Sequence, residues 1–320
     1  MDNRARVVPL HEAGQSGVSG RFSAADHERV LTVGSDVPEE RPAVALPLSE
    51  VGISGKTVWV TLPQGTLPFA ASMHVDLAAA RRGIHMSRLE EAMTSLHQRP
   101  FDNLRDYGVE LVRTVLERQQ ATRGAVMLHG RLPLLRQTTM SGRTSLDTIE
   151  ISARVAVERE ESAVRKEVMV GAGIYHITAC PCTQAYNRVL FGERAGESPQ
   201  PTHSQRAFTT LAVAAAGAMP GYDELVECLA SALHATQDLL KRPDEAEIVL
   251  QSHLHPQFAE DAVREVARAA GRRFGTRLPP ATAVVIESLS QESIHIHDVR
   301  CRLDTTLGAI MAAVPNHGNP

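Results

Sequence analysis

The densest chemistry in this 320-residue chain is Cys180-Pro181-Cys182. A strand-like run ends at Ala179, and Thr183–Leu190 reads as the start of a short helix. Cys182 is therefore expected near a helix N-terminus, where the backbone dipole favours an anion, and a thiolate is both a nucleophile and a soft metal ligand. The plainer alternative is a pair of small core residues beside a turn proline, because free cysteines are often simply buried. Further on, Thr202-His203-Ser204-Gln205-Arg206 follows the loop Gly192–Pro201 and enters an apolar run, so His203 sits where an imidazole can face a cleft. A third group is Glu292-Ser293-Ile294-His295-Ile296-His297. In a strand, residues two apart share a face and lie about 6.6 Å apart along it, so His295 and His297 would form one wall of a metal site. A straight strand would turn Glu292 to the other face, and the bland version is a half-exposed strand with two solvated histidines.

Two carboxylates complete the candidates. Glu245 follows Leu240-Lys241-Arg242-Pro243-Asp244 at an expected helix end, with Pro243 as the stop. Glu260 lies early in a helix with the apolar stripe Phe258, Ala262, Val266 and Ala270, although Arg264 is spaced for an ordinary exposed ion pair with it. Sulfur, nitrogen and oxygen donors in this mixture suit Zn²⁺ or Fe²⁺, and few thiolates among several carboxylates look more catalytic than structural. No P-loop or Rossmann glycine pattern and no Gly-x-Ser-x-Gly elbow occurs.

Those residues need strands and helices to hold them. Strand composition marks Gly55–Leu62, Phe69–Leu77, Ala125–Leu135 and Asp147–Val157, with helical spacing in Ser87–Gln98 and Asp102–Gln120. The first half thus reads β-β-α-α-β-β. The second half repeats the plan: strands at Gly171–Ala179 and Arg206–Ala216, helices at Asp223–Leu240 and Pro256–Phe274, and strands at Ala283–Leu289 and Ser293–Leu303. The fold class is α+β. The expected division is a polar arm over residues 1–45, one unit over 46–168, and a second over 169–320 carrying most of the site.

Composition narrows the function. With 43% hydrophobic and 22% charged residues the chain can bury a core. A net charge of −4 and a pI near 6.4 argue against nucleic acid or an anionic membrane as the main partner. The longest apolar run, Leu211–Met219, is far below the roughly 18 residues of a membrane helix, and no signal peptide is visible. Four unevenly spaced cysteines do not make a disulfide framework, so a reduced, cytoplasmic setting is expected.

Seven stretches in order resemble the type IB GTP cyclohydrolase family over about residues 47–305. They are Leu48-Ser49-Glu50-Val51-Gly52-Ile53-Ser54-Gly55; Val75-Asp76-Leu77 with Gly83-Ile84-His85-Met86-Ser87-Arg88; Cys180-Pro181-Cys182; His203-x-Gln205-Arg206; Leu240 to Glu245; Phe258-Ala259-Glu260-Asp261; and Glu292-Ser293-Ile294-His295-x-His297. The resemblance implies a tunnelling fold of two tandem ββααββ units that assemble into barrels. The implied assembly is a homo-oligomer, expected as a tetramer, with active sites between subunits. It implies hydrolysis of GTP at C8 of the guanine, with ring opening and formate release, as the first step of a pterin or folate-type pathway. The implied cofactor is one divalent metal per site (Fe²⁺, Mn²⁺ or Zn²⁺), which supplies an activated water. By position, Cys180, His203, Glu245, Glu292 and His295 match the metal centre. Cys180 and Cys182 match catalytic positions, with Cys182 assisting proton transfer. Glu260 matches the anchor of the guanine N1–H and 2-amino edge, a job for a two-oxygen acceptor. Arg206 and His297 fall among the substrate contacts.

The segment between Cys182 and His203 is longer than in the bacterial folate enzymes and resembles an archaeal, Fe²⁺-dependent branch. That branch makes 7,8-dihydroneopterin 2′,3′-cyclic phosphate, whereas the folate branch makes dihydroneopterin triphosphate. Two other functions compete with this one. A relative of the same fold could act on another purine or pterin through Cys182 as a covalent nucleophile. A non-catalytic metal-binding module would instead close its metal with four protein ligands.

Overall fold

The computed structural model describes residues 22–160, 163–214 and 219–314. Its first elements are α1 (Ala24–Val33), a 3-10 turn at Val37–Glu39, β1 (Leu48–Leu62), β2 (Gly65–Leu77), α2 (Met86–Ser95), α3 (Leu104–Gln119), β3 (Arg123–Gln137) and β4 (Thr144–Arg159). Then come β5 (Val164–Ala179), α4 (Pro181–Phe191), β6 (Ser204–Ala214), α5 (Tyr222–Ala232), β7 (His234–Ala235) and α6 (Arg242–Leu254). The last are α7 (Ala259–Phe274), β8 (Ala283–Gln291), β9 (Val299–Thr306) and α8 (Leu307–Ala313). The α+β class is as expected.

The strands form one antiparallel sheet in the order β1-β2-β3-β4-β5-β6-β8-β9, with the short β7 pairing with β5. Alternation along each strand sorts the two faces. Phe69, Met73, Ile151, Val155, Leu211 and Ile286 lie on the buried face. There they meet the apolar stripes of α3 (Leu104, Leu111, Val115) and α7 (Ala262, Val266, Phe274). The opposite face is open and carries Trp59, Met127, Leu135, Tyr175 and Leu289. Tyr175 and Phe208 pack there at 4.8 Å between ring centroids.

The first half follows the expected β-β-α-α-β-β order. The expected division after residue 168 falls inside β5, which pairs with β4 from Glu150–Gly173 to Arg159–Val164. The two halves therefore share one continuous sheet.

Several expected elements are corrected. The stretch 24–33 of the N-terminal arm is a helix, because Ser23 and Asp26 form a reciprocal capping box at its start. Residues 1–21 of that arm lie outside the described residues. The helix expected over Asp223–Leu240 ends at Ala232, where the chain turns into β7 to pair with β5. Pro243 begins a helix instead of stopping one: it occupies the first turn of α6, where a missing N–H costs nothing. The helix expected from Pro256 starts at Ala259, with the Asp261 carboxylate accepting from the Phe258 N–H at 3.1 Å. The strand expected over Ser293–Leu303 begins only at Val299, and residues 292–298 are an irregular connection between β8 and β9.

Candidate active site and metal centre

Cys180 is the N-cap of α4, with Pro181 at the first helical position and Cys182 exposed behind it. Its backbone is tied to the entrance of β6. The Cys180 N–H donates to the His203 carbonyl at 3.1 Å, and the Thr202 hydroxyl donates to the Cys180 carbonyl at 2.7 Å. The Thr183 hydroxyl lies 3.8 Å from Cys180 Sγ, at the outer limit of a bond to sulfur. Cys180 and His203 thus meet across the β5–β6 pair, one residue beyond the Ala179–Ser204 register. On the other side of β6, Arg206 pairs with Gln291, so Glu292 reaches the same end of the sheet from β8. Three neighbouring strands deliver Cys180, His203 and Glu292 to one rim, with strand spacings of about 4.8 Å.

His203 suits a ligand role. Its Nδ1 is 3.0 Å from Oε1 of the buried Gln205, and an Nδ1–H donated to that oxygen leaves the Nε2 lone pair outward. Glu292 accepts at Oε1 from the Ser290 hydroxyl at 2.9 Å. A partly buried thiol, an imidazole with one oriented nitrogen and a carboxylate are donor types that suit a divalent transition metal, though their donor atoms do not converge within 4.8 Å of one another in one protomer.

Beneath the rim the buried sheet face stays polar. His176 Nε2 is 2.8 Å from the Thr209 hydroxyl, which donates to Ser288 Oγ at 2.8 Å. Burial holds the His176 imidazole down to about 4, with the nearby His234 adding to the effect. Among the described residues, its Nδ1 and the Thr178 hydroxyl are buried with no hydrogen-bond partner. Sequence reasoning passed over this track, although His176 and Thr178 alternate with Ile174 toward Cys180.

Among the described residues, no remaining candidate makes a side-chain hydrogen bond to Cys180, His203 or Glu292. His295 and His297 are in the 292–298 connection, not on a strand face; their exposed rings stack at 5.2 Å and 16°. Glu245 is exposed in the first turn of α6. The other end of α6 touches α4, since Gln184 Nε2 donates to the His253 carbonyl at 2.7 Å. Eight residues of helix separate His253 from Glu245, about 12 Å. Arg206 is on the open face, its guanidinium 5.3 Å from the centre of Tyr175 and bonded to Gln291 Oε1 at 3.1 Å. Glu260 is exposed on the first turn of α7; Arg264 pairs with Asp261 at 3.4 Å, and the Glu260 carboxylate has no hydrogen bond among the described residues. Burial and the Glu260 charge both raise the Cys301 thiol on β9, against the Arg264 guanidinium, which lowers it.

Among the described residues, one group of three ligand-type side chains brings its donor atoms within 4.8 Å of one another: Asp36, Glu39 and His85. His85 Nε2 is 2.9 Å from Glu39 and 3.6 Å from Asp36. These donors are consistent with a divalent metal, but Arg81 already pairs with Glu39 at 2.6 Å and would compete with it. His85 stands in one of the family-like stretches with no role implied for it, and the two acids come from the arm.

A family profile described as type I GTP cyclohydrolase folE2 matches residues 35–301. The chain belongs to that family. GTP cyclohydrolase MptA 2 of Methanocella arvoryzae is 30% identical over 305 residues, covering 87% of this chain and 98% of that protein. GTP cyclohydrolase MptA of Halobacterium salinarum is 30% identical over 306 residues, covering 87% and 97%. Its counterpart in Methanococcus aeolicus is 28% identical over 307 residues, covering 86% and 97%. Among solved structures, uricase from Arthrobacter globiformis aligns over 83% of this chain and 96% of its own at 7% identity, with a TM-score of 0.49. Uricase from Bacillus fastidious covers 85% and 97% at 11% identity, with a TM-score of 0.46. Among the described residues of this folE2-family chain, no helix is long and apolar enough to cross a membrane.

Proposed function

We propose that this chain is a metal-dependent GTP cyclohydrolase that hydrolyses C8 of GTP, releases formate and commits the product to a pterin-type pathway. The observation that carries the reading is the shared rim of Cys180, His203 and Glu292, in a chain matched by the type I GTP cyclohydrolase profile over residues 35–301. Cys180, His203, Glu245, Glu292 and His295 would hold one Fe²⁺, Mn²⁺ or Zn²⁺. When bound, the cation supplies Lewis-acid activation of water. The chain's own residues do the rest. Glu260 holds the guanine edge, its two oxygens facing the N1–H and 2-amino donors. Cys182, exposed beside the rim, moves a proton, and Arg206 and His297 are substrate contacts.

Glu245 lies on the first turn of α6, about 12 Å along the helix from the end that touches α4, which favours a site completed between copies. We therefore read the chain as tandem ββααββ units, 46–168 and 169–320, of a tunnelling fold that closes into barrels as a homotetramer in the cytoplasm. The relatives named MptA are archaeal, which favours the 7,8-dihydroneopterin 2′,3′-cyclic phosphate over the triphosphate as product. An anaerobic GTP assay with Fe²⁺, Mn²⁺ and Zn²⁺, products separated by mass, tests the reading. Formate with the cyclic phosphate is the expected result, the triphosphate would move the chain to the folate branch, and no formate from folded, metal-replete protein would sink the activity.

A further inference from the structure

The Glu245 carboxylate has no hydrogen bond among the described residues, yet the residue before it carries one of their most fully bonded carboxylates. Asp244 is buried. Its Oδ1 accepts from the backbone N–H groups of Met140 and Ser141, both at 2.9 Å. Its Oδ2 accepts from the Ser141 hydroxyl at 2.6 Å and from the Lys241 N–H at 3.0 Å. Three of these four donors belong to the turn at residues 138–143 between β3 and β4, about a hundred residues away in the first half.

That turn is built to keep its shape. Thr138 N–H donates to the Arg143 carbonyl at 2.9 Å, and Arg143 N–H returns to the Thr138 hydroxyl at 3.0 Å. Gly142 supplies the left-handed backbone, at φ 61°, that the reversal requires. The segment leading into α6 is pinned to the same hairpin a second time. Arg136 bonds both Asp147 and the Thr236 carbonyl, Asp147 accepts from the Asp238 N–H at 2.9 Å, and Ser145 Oγ accepts from the Leu239 N–H at 2.9 Å.

We propose that the 138–143 turn, acting through Asp244, is the positioning element for Glu245, so that the first half of the chain aims a metal-site carboxylate carried by the second. The inference rests on the metal-centre reading above. A carboxylate on the first turn of a helix moves with the helix start, and Asp244 holds that start against a rigid partner. Backbone donors fix direction as well as distance, which an apolar contact would not. Asp244 is a positioning residue and touches no reacting atom.

Chelator competition on the full chain, loaded with Fe²⁺ or Zn²⁺, measures this without using activity. Asp244→Asn turns an amide donor toward groups that already donate, and is expected to weaken metal binding about 10–100-fold, the usual range for residues that orient ligands. Ser141→Ala removes one donor of four and keeps the fold intact if Asp244→Asn does not; its expected loss is under about 10-fold. Asp76→Asn is the matched control: that carboxylate also takes two backbone donors and a hydroxyl, from Thr122 and Arg123, away from α6, and metal affinity should stay at the wild-type value. KM for GTP should be unchanged in Ser141→Ala while kcat falls. Wild-type affinity in both Asp244→Asn and Ser141→Ala, with loss in Glu245→Gln, would overturn the positioning role alone. Unchanged affinity in Glu245→Gln would overturn the ligand assignment, and the inference with it.

Discussion

The buried face of the sheet differs between its two halves. Under α2 and α3 it is apolar along β2, β3 and most of β4, with Phe69, Met73, Val126, Ile151 and Val155 fully covered. Polar groups enter only at the far end of β4, where Ser145 and Asp147 meet the segment that leads into α6. Under α5 and α7 the same face changes character toward the rim: Leu211, Val213 and Ile286 give way to His176, Thr178, Gln205, Thr209 and Ser288. Burying polar groups costs stability unless each finds a partner; Ser145 and Asp147 find theirs in the segment leading into α6, whereas His176 Nδ1 and the Thr178 hydroxyl have none among the described residues, which marks the second half as the side that has another task. The first half supplies rigidity; the second accepts less favourable burial to carry the rim.

The comparison is most sharply broken at the rim itself. Cys180→Ala should reduce formate release from GTP to background in the metal-loaded protein while leaving the thermal midpoint close to wild type. Retained turnover would remove Cys180 from the site. In the apolar half the pattern should invert: Ile151→Ala opens a cavity costing about 2–5 kcal/mol in urea titrations, with kcat/KM unchanged where the variant is folded.

The polar track predicts a pH effect between these extremes. His176 falls to about 4 in the folded chain, below the ordinary imidazole value of about 6.5, because burial disfavours its charged form. The unfolded chain binds the proton more readily, so the contribution is complete above about pH 6.5 and is lost as pH falls toward 4. Integrated over that window it amounts to about 3 kcal/mol. His176→Gln keeps a donor for Thr209 and cannot titrate, so its stability should fall less between pH 7 and 5 than that of the wild type. Equal slopes would show that His176 does not titrate as its burial requires. The smallest effect belongs to Arg264→Ala, an exposed i,i+3 pair with Asp261, which should change stability by less than about 0.5 kcal/mol.

Much of this protein was legible in one dimension. Strand alternation in Asp147–Val157 and the helical stripe through Leu104, Leu111 and Val115 report burial on one face, and each needs only its own segment to be read. The motif residues Cys180, His203 and Glu292 were also visible, because their types are chemically rare. What failed were places where local pattern and pairing diverge. Ile294-His295-Ile296-His297 alternates like a strand, but a strand exists only where a neighbour accepts its hydrogen bonds, and β9 pairs with β8 only from Val299. In α6, Asp244 and Ser252 are the buried residues, so no apolar stripe announced the helix and Pro243 looked like its end.

The sequence by itself determined the periodic elements, the α+β class and the inventory of reactive side chains, since these follow from each residue and its near neighbours. Only the tertiary structure decided that Cys180 and His203 share a backbone bond, that Arg206 turns to the open face, and that Asp244 locks onto a turn a hundred residues earlier. Those facts depend on register and on hydrogen-bond partners remote in sequence, which no local spacing encodes.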